Sequence, residues 1–331
     1  MNWKFWIGLL ISLLFLFLAF HKIDFSAMGK ALSEANYVYL FPIAILYYLA
    51  YVFRAFRWHH IMKPIKSIGF RSLFSATIIG FTANMLLPAR LGEFVRAYQV
   101  GKTEQISKTA SFATIVVERL FDGFTILGVL VVVLLLLEIP ADKAFMGQLL
   151  KKGGYASLLF YAVVIFFLFL LRMRTEMVLA VMDRVTRFLP ERFAKLVSRI
   201  LYSFADGLEF LSGPGCIALI VFYSLLIWAL GIVNVHMTAM AFGVELPVMA
   251  SMLVMVMTAF GVMIPSAPGF VGTYHAACSY AFLFYNIPRE KALSIAIVMH
   301  AGFFFSTMAL GVAVMASRKL SLKDLKIPTN N

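Results

Sequence analysis

Nine apolar runs, at 3–20, 37–53, 72–88, 110–137, 154–171, 215–242, 248–264, 268–285 and 292–316, follow one another along this chain. A helix needs about twenty apolar residues to cross a hydrocarbon layer about 30 Å thick. Inside that layer every backbone N–H and C=O must be satisfied by protein, so only helices and closed barrels cross it. A barrel would alternate polar and apolar residues over segments of about ten, whereas these runs are continuous. Of 331 residues, 62% are hydrophobic and 14% charged, against about 25% charged in soluble domains. Soluble enzymes, disordered chains and disulfide-stapled secreted domains are excluded. The expected fold is an all-α polytopic membrane protein, with 1–331 as a single integral membrane domain.

Charge orients the runs. The formal net charge of +13 fits basic residues gathered in cytoplasmic loops; no stretch resembles a nucleic-acid module, and no nucleic-acid partner is expected. Segment 54–71 carries Arg54, Arg57, Lys63, Lys66 and Arg71 with no acid, 172–213 carries seven basic residues, and the tail from Ser317 carries four. All three face the cytoplasm if 72–93 and 248–285 are re-entrant helical hairpins, one entering from each side. Six full spans then remain, with both termini cytoplasmic. The order span, hairpin, span occurs over 37–137 and again, inverted, over 215–316, an arrangement of inverted repeats and broken helices found in many transporters. Between them, 172–213 reads as a cytoplasmic amphipathic connector. There Phe193, Leu196, Ile200, Phe204 and Leu211 recur at helical spacing, with Arg192, Lys195 and Arg199 elsewhere around the wheel, suiting either an interfacial helix or a packed connector. The first run ends Leu18-Ala19-Phe20-His21, without the small residues of a cleavage site, and is expected to remain as a span.

Three polar clusters interrupt the apolar sequence. In the first, Pro88 and Gly92 break the run just where Arg90, Glu93 and Arg96 arrive. Non-helical backbone at membrane depth is tolerated where it is buried in protein or lines a wet cavity, so the two arginines can hold a phosphate while Glu93 balances them. Alternatively, the segment anchors at the headgroup boundary. The second is Glu118-Arg119-Leu120-Phe121-Asp122, inside a span, where ionisable residues face a cavity or one another. Arg119 and Asp122 are three apart and can pair, and Glu118 and Asp122 share a face. Glu118 is then left for Arg54, Arg57 or Arg90. The alternative is a charge cluster that locks helices together. The third runs from Pro265 through Pro268, Gly269 and Gly272 to Tyr274 and His275. Its prolines and glycines break the second hairpin, and a helix starting near Gly272 would offer its positive end to an anion. His275 can titrate near neutral pH or simply pack, as can His236 and His300. Cys216 and Cys278 lie far apart without metal or redox spacing, and no P-loop, HExxH or GxSxG occurs. No cofactor or metal is expected.

Arg54-Ala55-Phe56-Arg57-Trp58, Asn84 with LPARLGE at 87–93, VVERLFDG at 116–123 and PSAPGFVGTYH at 265–275 occur in this order. Together they resemble the membrane domain of the lysylphosphatidylglycerol synthase family, also called flippase-like or UPF0104, over roughly 5–316. The resemblance implies a multi-span protein of a bacterial or archaeal cytoplasmic membrane that moves or handles lipids. In bifunctional relatives a fused transferase makes the lipid. Here the chain ends soon after the last span, so a separate cytoplasmic transferase is the expected further partner. Many members carry a Glu where this chain has His275. The function expected is a flippase-like translocase, not an enzyme, that moves an anionic or phosphate-bearing headgroup. Arg54, Arg57, Asn84, Arg90, Glu93, Arg96, Gly269, Gly272, Tyr274 and His275 would bind it, and Glu93, Glu118, Arg119, Asp122 and His275 would balance charge or couple protons. The alternatives are an accessory protein of envelope-lipid or glycan biosynthesis and an intramembrane lipid-carrier transferase.

Overall fold

The computed structural model describes residues 3–87, 90–136, 144–186 and 214–321, and among the described residues there are twelve α-helices and no strand. They are α1 (Trp3–Phe20), α2 (Phe25–Ser33), α3 (Leu40–Met62), α4 (Phe70–Leu86), α5 (Gly92–Thr103), α6 (Lys108–Leu136), α7 (Ala144–Met173), α8 (Thr175–Thr186), α9 (Pro214–Ala241), α10 (Val248–Met263), α11 (Thr273–Leu283) and α12 (Arg289–Ser317). Five helices are long and apolar enough to cross a membrane: α3, α6, α7, α9 and α12. The bent pair α1–α2 makes a sixth if counted as one span. The all-α membrane architecture expected from the runs is thus the one observed. Pro88 and most of the amphipathic connector, including all the residues named at its helical spacing, lie outside the described residues.

Local chemistry explains the breaks. α1 gives way to α2 through an 86° bend, where the Asp24 carboxylate accepts from the amides of Ser26 and Ala27 and starts a new helix. This is ordinary N-capping. α4 and α5 pack back on each other, as do α10 and α11, giving two helical hairpins. The break in the second contains Gly269 and Gly272 at φ +71° and +93°, a backbone that favours glycine.

Two boundaries differ from the sequence reading. The first hairpin extends to Thr103 rather than ending at 93, because its second arm is polar in sequence yet buries Arg96 and Gln99. α3 continues to Met62, so Arg54 and Arg57 belong to a helix and not to a cytoplasmic loop.

Eight helices form two triplets of helix, hairpin and helix: α3, α4–α5, α6 and α9, α10–α11, α12. Among these eight, each inter-helix packing has a counterpart when the triplets are exchanged. α4 on α12 matches α10 on α6, α3 on α12 matches α9 on α6, and α3 on α6 matches α9 on α12. α3 and α9 pack directly on each other and run antiparallel. The Asn36 amide donates to the Ala241 carbonyl at 2.7 Å at one end, and Arg57 bonds Ser224 toward the other. The Cys216 thiol meets the His60 carbonyl one turn further on.

α1 lies outside the triplets and braces the second hairpin. Its buried Ser12 hydroxyl accepts from the Ala267 amide at 2.8 Å, and Gly272 packs against the Ser12 backbone. Ser12→Ala leaves that amide without a partner, a loss of about 1–3 kcal/mol. Thermal unfolding in detergent should register the loss, and limited proteolysis should cut faster within 264–272. An unchanged melting temperature would show that α1 contributes no such bond.

Candidate functional site

The buried charges come together at one level of the bundle. α3 supplies Arg54 and Arg57, α5 supplies Glu93 and Arg96, and α6 supplies Glu118, Arg119 and Asp122. Arg57 and Glu118 are fully buried, and charges taken out of water must be paired and hydrogen-bonded. The Arg57 Nη1 donates to Asp122 Oδ1 at 2.7 Å and to Ser224 Oγ of α9 at 2.8 Å, while Nη2 lies 3.5 Å from Glu118 Oε1. Asp122 also meets Arg119 at 3.1 Å and Arg54 at 3.7 Å, and accepts from the Trp228 indole at 3.2 Å. Glu118 pairs with Arg96, whose guanidinium carbon sits 3.5 Å from the Trp58 ring centre, a stacked cation–π contact. Glu93 and Arg119 approach to 3.9 Å.

Sequence spacing identified the Arg119–Asp122 pair and the depth of the cluster, and of the three arginines it offered to Glu118 the structure uses Arg57, which Asp122 shares. It missed Trp58 as a platform for Arg96, the Arg96–Glu118 pair, and the contributions of Ser224 and Trp228 from α9. Trp58 was adjacent to a singled-out arginine, but α9 carries no charge and reads as a plain span. Nothing in its sequence points to a role here.

Beside the cluster lies a cavity of about 340 Å³. Arg54, Arg90, Glu93, Arg96, Arg119 and Asp122 line its charged end, and Arg57 and Glu118 sit behind that wall. Moving away from Arg54 along α3, the lining becomes Tyr51, Tyr47 and Leu46, about 12 Å distant at 1.5 Å per residue. α9, α10 and α12 contribute Gly231, Val235, Met255, Val262, Met299 and Phe303 to the lining. The cavity is cationic at one end and largely apolar along the remainder, where Asn234 and Thr258 are also in the lining, and both hairpins border it.

α6 and α12 are each 29 residues long and are counterparts in the two triplets. Aligned end to end, they place Glu118, Arg119 and Asp122 against Met299, His300 and Phe303. One triplet therefore brings charge to the cavity, and its counterpart brings apolar wall.

The hairpin tips meet at the cavity. The Arg90 guanidinium lies 5.9 Å from the Phe270 ring centre, and the Gly269 α-carbon faces the Met85 carbonyl. Asn84 borders the cavity, but its Oδ1 accepts from the Gly92 amide at 2.8 Å, which ties α4 to the start of α5. Tyr274 also borders the cavity. His275, Gly269 and Gly272 do not. The Gly272 amide donates to His275 Nδ1 at 3.3 Å, and His300 Nε2 bonds the Gly269 carbonyl at 2.7 Å. The start of α11, expected to face an anion, is instead filled by its own histidine and by α1. His275 and His300 serve the shape of the break.

The sequence model of a family described as the lysylphosphatidylglycerol synthase TM region matches residues 5–311. Glycosyltransferase AglD of Haloferax volcanii is 27% identical over 341 aligned positions, covering 95% of this chain and 54% of that protein. The chain thus spans about half the length of this relative. A UPF0104 membrane protein of Methanothermobacter thermautotrophicus is 25% identical over 300 positions, covering 86% of this chain and 87% of that protein. No solved structure matches the chain.

Proposed function

Since the chain belongs to the lysylphosphatidylglycerol synthase TM-region family, we propose that it is a flippase-like lipid translocase of the cytoplasmic membrane rather than an enzyme. One observation carries this reading: a single cavity has an arginine-rich end, a long apolar wall and both hairpin tips at its border. An amphiphile has the same division. Its anionic headgroup meets guanidinium groups, and its chains lie along tyrosine, methionine and phenylalanine. Moving a headgroup through hydrocarbon is the costly step, and a cationic cavity lowers that cost.

The antiparallel packing of α3 and α9, and the exchange of contacts between triplets, support an inverted repeat. In that repeat 70–103 and 248–283 are re-entrant hairpins from opposite faces and both termini are cytoplasmic. The three carboxylates of the site are all engaged by arginines, which leaves none as a free general base and favours transport over chemistry. A separate cytoplasmic transferase is the proposed partner. The relative named Glycosyltransferase AglD favours a second reading, in which the same cavity holds a lipid for glycosyl transfer.

The test is movement of headgroup-labelled lipids in proteoliposomes, read by quenching from one side. Wild-type protein should move an anionic lipid, and Arg90→Gln should fall to the rate of protein-free vesicles while its melting temperature stays unchanged. No protein-dependent movement across anionic, zwitterionic and isoprenoid lipids would overturn the translocase and leave the accessory reading.

A further inference from the structure

We propose that the headgroup taken by this cavity carries two negative charges on phosphate, as a phosphomonoester or a pyrophosphate does. The proposal rests on the reading of the cavity as a lipid site and adds the class of lipid.

The charge count at the cavity does not close. Among the described residues, five arginines (Arg54, Arg57, Arg90, Arg96 and Arg119) face three carboxylates (Glu93, Glu118 and Asp122). Arginine keeps its charge in proteins, so the site holds two uncompensated positive charges where solvent screening is weak. The positive end of α5, a helix of 12 residues beginning at Gly92, adds to the same excess.

The surplus has an address. Arg90 makes no ion pair among the described residues. Its guanidinium lies over the face of Phe270, and its Nε is buried without a hydrogen-bond partner. Nε and Nη2 of Arg96 and Nε of Arg119 are likewise buried and unsatisfied. All three residues line the cavity. These are donors only, on planar forks that match phosphate oxygens. The unsatisfied acceptors among the lining residues are Asn234 Oδ1, which is neutral, and Asp122 Oδ2, which already faces Arg119 and Arg54. Each carboxylate is engaged by arginine, so none is left unpaired for the ammonium of a zwitterionic or aminoacylated headgroup. A phosphodiester monoanion would leave one charge uncompensated. A phosphomonoester, at about −1.5 to −2 near neutral pH, or a pyrophosphate closes the count with acceptors alone.

Equilibrium binding separates this proposal from the translocase reading. Purified protein in detergent is titrated with dioleoyl phosphatidic acid, dioleoyl phosphatidylglycerol, dioleoyl phosphatidylcholine and inorganic phosphate at mildly alkaline pH. The indole fluorescence of Trp228 at the cavity wall reports occupancy, with native mass spectrometry as a second readout. Phosphatidic acid should bind about tenfold more tightly than phosphatidylglycerol, a difference of about 1.4 kcal/mol, and phosphatidylcholine more weakly than either. Arg90→Gln should erase the preference between the two anionic lipids, and Arg90→Lys should keep most of it.

Phosphatidylglycerol binding as tightly as phosphatidic acid in wild-type protein would overturn the dianion and leave the lipid site standing. Inorganic phosphate binding as well as phosphatidic acid would keep the charge class and overturn the lipid. Binding of none would overturn both. The wild-type series decides the charge class even if the Arg90 variants fail to fold.

Discussion

Asp122→Asn should lower the stability of the bundle by about 3–5 kcal/mol, the range for removing one partner of a buried ion pair. Asp122 is the hub of the cluster, meeting Arg54, Arg57 and Arg119 and accepting from the Trp228 indole. Loss of its charge raises the local excess from two to three and leaves Arg57 with the Ser224 hydroxyl and only the longer ion pair to Glu118. Arg57→Gln works in the opposite direction. It lowers the excess to one, and leaves Asp122 with two arginines and Glu118 with Arg96. It should therefore cost less than Asp122→Asn, although Arg57 is the more deeply buried. The double variant should recover part of the loss, because the two residues share one bond and their effects cannot be additive. Thermal unfolding of the four proteins in one detergent measures the cycle. If Asp122→Asn were as stable as wild type, the cluster would not be held by charge.

Gly92→Ala should cost about 2–3 kcal/mol, near the upper end for forcing extra volume into a packed core. The methyl group would run into the Gly80 carbonyl oxygen and would lie 2.6 Å from Asn84 Oδ1. That oxygen accepts from the Gly92 amide and cannot withdraw without losing the bond that starts α5. The arm would have to move away from α4, carrying Glu93 and Arg96 with it. Gly128→Ala is the control. It lies inside α6 with nothing within 4 Å of the added carbon, and Ala in an exposed helix interior is worth up to about 1 kcal/mol over Gly. Equal melting temperatures for the two variants would show that α4 and α5 do not need this close approach.

Much of the architecture was legible because hydrocarbon imposes a length on each helix, and runs such as 110–137 and 292–316 carry that length openly. α5 was hidden for the reason that makes it interesting. Its buried side chains include Arg96 and Gln99, and a rule that equates burial with apolarity ends the hairpin at Glu93. α2 follows from a single side chain, Asp24, and a cap is a weaker signal than a run of twenty residues.

At the site, Arg119 and Asp122 could be paired from their spacing, since helix geometry fixes the neighbours of a residue within one turn. The pair Arg96–Glu118 and the bond from Trp228 to Asp122 depend on how separate helices dock, which local spacing does not encode. His275 was drawn toward function because histidine titrates near neutral pH. Its ring is instead spent on the Gly272 amide, a backbone group freed by the same proline–glycine break that made the segment conspicuous.

The match of contacts between the two triplets bears on motion. In a fold whose halves pack by interchangeable contacts, each half is a template for a conformation open to the other. If the first triplet takes the posture of the second, and the second that of the first, the result is a second state with the same set of helix contacts and an opening at the opposite face. That exchange would turn on the contact between α3 and α9, the one packing that is its own counterpart. Such a molecule would change sides by rocking about that pair, and the walls around the cavity would trade roles.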